Sequence, residues 1–110
     1  MEMVVAVYQV TKSFPKAELF ALTSQMRRAA ISVPSNLAEG FGRRSRIEYV
    51  RFINSALGSL CELQTQIEIA ERLSCLNSGK TERVAQLTPE TEFLLSRLRQ
   101  KLLTITPAGK

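Results

Sequence analysis

From Leu19 to Leu73 apolar residues recur every three or four positions, and the pattern breaks only around Gly40-Phe41-Gly42 and the arginines after it. That period belongs to amphipathic helices. Two long helices joined across so short a break make a helical hairpin, and the remaining helices must pack against it.

In the first arm, expected over residues 16–40, Leu19, Leu22, Met26, Ala29, Val33 and Leu37 form the core face, widened by Ala30. Phe20, Ile31 and Ala38 make a second apolar row. A lone bundle needs only one such stripe, so the second suggests a partner. Pro34 removes one backbone hydrogen bond and predicts a kink with helix continuing beyond it. Small neighbours, Ala29, Ala30, Ser32 and Ser35, would let another backbone come close. Gly40 and Gly42 predict a left-handed C-terminal turn.

Ser45 with Glu48 three residues later reads as a capping box that opens the second arm, residues 45–73. Val50, Ile53, Leu57, Leu60, Gln64 and Ile67 form one row, and Tyr49, Phe52, Ala56, Leu63, Ala70 and Leu73 form another. A rod of roughly 43 Å follows from the helical rise, so its partners should be similarly long.

Upstream, Met3, Val7, Val10 and Phe14 share one face of a helix over residues 1–13, with Val4, Tyr8 and Thr11 beside them. It ends before Pro15, and Glu18 favours the start of the next helix. Downstream, Ser74–Gly79 reads as a loop. A fourth helix spans residues 80–104, with Val84, Leu87, Thr91, Leu94, Leu98, Lys101 and Ile105 on the seam and Leu95 and Leu102 alongside. Either Pro89 kinks this helix or Thr88 caps a new one; the kink is the preferred reading. The fold class is therefore all-α, an antiparallel up-down-up-down four-helix bundle over residues 1–106, with 107–110 a flexible tail.

The chain's charge is uneven. Arg27, Arg28, Arg43, Arg44, Arg46 and Arg51 face only Glu39 and Glu48, so four of the five net positive charges fall between residues 27 and 51. Clustered positive charge attracts polyanions. Arg43, Arg44, Arg46 and Arg51 at the helix 2–3 turn are the candidate phosphate-binding residues. Arg28, about 20 Å away along the helix, is expected to serve otherwise, for instance in an interface pair with a glutamate such as Glu39. Of the nearby aromatics Tyr49 and Phe52 read as core, leaving Phe41, so binding should be mainly phosphate-driven.

Catalysis is not expected. Histidine and aspartate are absent, and Glu39 and Glu48 are more simply ion-pair partners for the arginines. Gly40-Phe41-Gly42-Arg43-Arg44-Ser45 approximates a dinucleotide fingerprint but has serine at its third glycine and follows a helix. Gly79-Lys80-Thr81 ends like a phosphate loop without the first glycine or the strand. Neither implies a cofactor. Cys61 and Cys75 match no metal spacing and read as reduced thiols. No apolar run approaches the length of a membrane span, about 18 residues, and the N-terminus has no leader pattern, so a cytoplasmic location is expected.

The run Gln25-x-Arg27-Arg28-Ala29-Ala30-x-Ser32-x-Pro34-x-Asn36-x-Ala38-Glu39-Gly40-x-Gly42-Arg43, preceded by Phe14-Pro15 and followed by Glu48-Tyr49-x-Arg51-Phe52-x-Asn54-x-Ala56-Leu57-Gly58-Ser59-Leu60-x-Glu62, resembles the four-helix bundle proteins encoded in 23S rRNA intervening sequences. The resemblance covers residues 4–75 well and the last helix only in pattern. It implies a ring-like homo-oligomer, a pentamer. Through a related branch, the accessory proteins of diversity-generating retroelements, it implies RNA or DNA and a reverse transcriptase as partners. Arg28, Asn36 and Glu39 look like the motif's structural or interface polar residues, and Arg43 like its basic turn. The chain departs by starting late, so helix one is expected to be short, and by Pro89.

Two readings follow. The first is a non-enzymatic oligomeric bundle that binds nucleic acid through the turn. The second is an interaction scaffold or accessory subunit that uses its arginines in subunit contacts.

Overall fold

Long apolar periods with few breakers give rods. The computed structural model describes residues 1–12, 16–73 and 78–104, and these form four helices without a strand: α1 (Glu2–Thr11), α2 (Lys16–Gly42), α3 (Arg46–Arg72) and α4 (Ser78–Thr104). The Ser13-Phe14-Pro15 boundary, most of the 74–79 loop with Cys75, Ile105 and the 107–110 tail lie outside the described residues, as do the side chains of Glu18 and Leu19. Ser78 and Gly79, expected in the loop, already belong to α4. Both internal prolines, Pro34 and Pro89, sit within continuous helices.

Around the bundle α1 packs on α2 and α4, and α3 packs on the same two, while α2 and α4 stand diagonally opposite without close backbone approach among the described residues. This is a four-cornered helical bundle with α1 at one corner. The α2–α3 interface is the most extensive and runs antiparallel. Gly40 lies against Tyr49 and Phe52, whereas Ser32, two turns earlier, shares a 2.7 Å hydrogen bond with Ser59, two turns later. Asn36 tightens that contact by donating to the Ser32 carbonyl at 2.8 Å and to its hydroxyl at 2.9 Å.

The core comprises Met3, Ala6, Val7 and Val10 from α1, Met26, Ala29, Ala30 and Val33 from α2, a row from Ile53 to Ala70 on α3, and Val84, Leu87 and Leu95 from α4. Buried apolar area at about 25 cal/mol per Å² drives the assembly. Gln66 is buried within it, and its side-chain oxygen has no hydrogen-bond partner among the described residues.

Three expectations are corrected. The α4 seam is carried by Val84, Leu87, Thr88 and Leu95, with Leu98 and Leu102 half-buried, while Leu94 is 65% exposed and Lys101 lies in solvent. Leu94 and Leu95 fit the same helical period equally, and packing chose the second. Leu73 follows the last turn of α3 and is exposed. No glycine takes a left-handed conformation among the described residues; the α2–α3 turn uses Arg44, at φ 57°.

Helix length has a further consequence. α2, α3 and α4 have 27 residues each, about 40 Å, whereas the 10 residues of α1 reach only about 15 Å. The contacts of α1 fall on Arg27 and Arg83, in the first halves of α2 and α4. The outer row of α2 is uncovered at both ends, with Phe20 74% and Ile31 42% exposed and Ala38 also open.

Candidate nucleic-acid interface

The corner where α2 hands over to α3 is built by local rules. α2 ends at Gly42, and the amides of Arg43 and Arg44 donate to the carbonyls of Gly40 and Phe41 at 3.2 and 3.4 Å. The chain reverses through the left-handed Arg44. Ser45 then takes an extended conformation and its hydroxyl accepts from the Glu48 amide at 3.3 Å, capping α3. The other half of the capping box is diverted, because the Glu48 carboxylate pairs with Arg51 at 3.2 Å.

Gly40 is required here for space, not for its backbone freedom. A Cβ at this position would stand 2.6 Å from the Phe52 Cβ and 3.0 Å from the Tyr49 ring. The two helices therefore meet closely just below the turn, which fixes where the arginines emerge.

Arg43 reaches back to Glu39 at 3.0 Å and lies over the Phe52 ring at 5.2 Å. Arg51 and Phe52, with Glu48 and Ser55, line a shallow hollow of about 210 Å³. The ion pairs of Arg43 and Arg51 are solvent-exposed, and such pairs are worth only about 0–1 kcal/mol. Both guanidinium groups can exchange a carboxylate for a phosphate at little cost. Arg44 is exposed at the tip and has no side-chain partner among the described residues. Arg46 is half-buried at the first position of α3, where the positive end of the helix dipole adds to the field of the arginines.

The four candidates do not form one flat patch. Arg46 and Arg51 are five residues apart on α3, which turns them about 140° from one another at 3.6 residues per turn. Arg43 and Arg51 share the Phe52 side. A ligand touching all four must wrap the corner.

Of the remaining polar residues, Asn36 is bound to Ser32 beside the α2–α3 contact, and Glu39 is taken by Arg43. Arg28 is exposed without a partner among the described residues, far from the turn. Arg27 has a different use that its position beside Arg28 conceals. Its guanidinium stacks 4.5 Å from the Tyr8 ring centre and its Nε donates to Thr11 at 2.8 Å. There a cation meets the last turn of α1, the negative end of that helix. One of the six clustered arginines is thus an internal clamp between α1 and α2. Only the spacing of Tyr8 and Thr11 on one face of α1 hints at it in the sequence.

No helix among the described residues is long and apolar enough to cross a membrane. A comparison with curated proteins finds no match. The family model for the 23S rRNA-intervening sequence protein matches residues 1–97, which takes in the hairpin, the basic corner and most of α4. Its match over nearly the whole bundle agrees with the motif read along α2 and α3, and the chain belongs to the 23S rRNA-intervening sequence protein family.

Proposed function

We propose that this protein is a non-enzymatic, oligomeric bundle that binds the phosphates of RNA or DNA through Arg43, Arg44, Arg46 and Arg51. The observation that carries this reading is Arg44. It holds a left-handed conformation costing about 1–2 kcal/mol at an exposed position of the turn, with no side-chain partner among the described residues. Nothing in the packing accounts for an arginine there, whereas a polyanion would. The weak, exposed pairs of Arg43 and Arg51 leave those groups available as well.

Titration of a labelled RNA across salt concentrations tests the reading. Four phosphate contacts predict a log–log slope of about −3.6 on a duplex and about −2.8 on a single strand. Arg43→Glu with Arg44→Glu should abolish binding and leave helicity intact. If the wild type fails to shift either RNA at low salt, the reading is wrong.

A second reading is favoured by the uncovered apolar rows, Ile31 and Ala38 on α2 and Leu94 on α4. Here the protein is a scaffold or accessory subunit that covers these residues in a homo-oligomer, a pentamer by family resemblance, or against a partner such as a reverse transcriptase. A cytoplasmic location suits both readings. Native mass measurement distinguishes self-association from a lone 12.3 kDa chain.

A further inference from the structure

One large apolar side chain at the basic corner stands outside the core. Phe41, the penultimate residue of α2, is 73% exposed. Among the described residues one ring contact steadies it, with Tyr49 at 6.1 Å between centres and 73° between planes. Its neighbour Gly42 leaves open space where a side chain would stand. Ile47, on the first turn of α3, is also exposed, at 68%, but it lies about 200° around the helix from Tyr49. Phe52, by contrast, is half-buried and faced by the Arg43 guanidinium. An exposed phenyl ring among cations, steadied by a second aromatic ring, is what a flat, unpaired nucleobase can stack on once its phosphates are held.

We propose that Phe41 is a base-stacking platform and that the corner takes single-stranded nucleic acid in preference to duplex. This rests on the phosphate-binding reading above and adds the class of ligand. A duplex presents its phosphates but hides its base faces, so it can use the arginines and not the ring. A single strand can use both. The left-handed turn at Arg44 puts guanidinium groups just beyond Phe41 in the chain, which suits a strand whose backbone crosses the turn while one base folds back onto the ring.

The test compares three probes: a labelled 20-nucleotide single-stranded RNA, the matching duplex, and a strand of equal length made of abasic sites. Phe41→Ala should weaken the single strand about tenfold or more. It should leave the duplex, the abasic strand, the salt slope and the native mass unchanged. Phe41→Trp should retain single-strand binding. Because the chain has no tryptophan, its emission becomes a direct reporter, quenched by the base-containing strand and not by the abasic one. Equal losses on all three probes, no loss on the single strand, or a changed native mass would overturn the stacking role. If the wild-type protein binds none of the probes at low salt, the phosphate reading fails with it. If it binds them all and ignores Phe41, that reading stands and this one falls.

Discussion

The two halves of the bundle carry the same kind of sequence and end up in different states. In the half that holds α1, Met26, Ala29, Ala30 and Val33 of α2 are fully buried and meet Val7, Val10 and Val84 in one core. In the half that ends at the basic turn, Leu37 is only partly buried, Ala38 and Phe41 are exposed, and Gly40 is the one fully buried residue on α2 after Pro34. α4 follows suit, from buried Val84 and Leu87 to half-covered Leu98 and Leu102. The difference lies in whether a fourth helix is present to close the square. Burial thins toward the turn on α2 and α4, whereas α3 stays fully buried there at Ile53 and Ala56. Large apolar residues stand exposed at both ends, Phe20 at one and Phe41 at the other.

The largest expected effect contrasts the halves directly. Met26→Ala removes a fully buried side chain and should cost about 2–5 kcal/mol in chemical denaturation. Leu37→Ala, a half-covered position, should cost less than half as much. Equal losses would mean that the turn-side half is as well closed as the other, and the comparison would break.

A smaller effect should appear at the one tight spot in the turn-side half. Gly40→Ala forces a Cβ to within 2.6 Å of the Phe52 Cβ, and overpacking of this kind costs about 1–3 kcal/mol. Thermal melts should show the loss even though alanine is the better helix former. A neutral or stabilising result would show that α3 can retreat from α2 here.

Arg44→Gly should give the smallest change, with the opposite sign. Glycine takes a left-handed conformation without the Cβ penalty, so stability should rise by about 1 kcal/mol while RNA affinity falls. A loss of stability would show that the Arg44 side chain supports the turn, and the case for a ligand there would weaken.

The hairpin, its approximate limits and the Ser45 cap were legible because each depends on residues close in sequence: period, breakers, and a hydroxyl three residues before an amide. The corner itself was only partly legible. Gly40 reads as a helix stop, yet α2 continues two residues further, and the glycine is there for the approach of Phe52 from the facing helix. Arg27 and Arg28 are adjacent and chemically alike, and only the docking of α1 makes the first a clamp and leaves the second in solvent. Phe41 could be noticed as the aromatic left over from the core, but its exposure depends on which way α2 faces at its last turn.

Residue order alone determined that the chain forms long helices, that a hairpin lies between Leu19 and Leu73, and that positive charge collects at its bend. These are properties of spacing and composition, decided within a few turns of backbone. The tertiary structure decided which leucine of a neighbouring pair is inside, which arginine is spent on packing, and how far the core extends toward the turn. Those outcomes depend on contacts between helices distant in sequence, and above all on the short reach of α1, which covers one end of the square and leaves the other open.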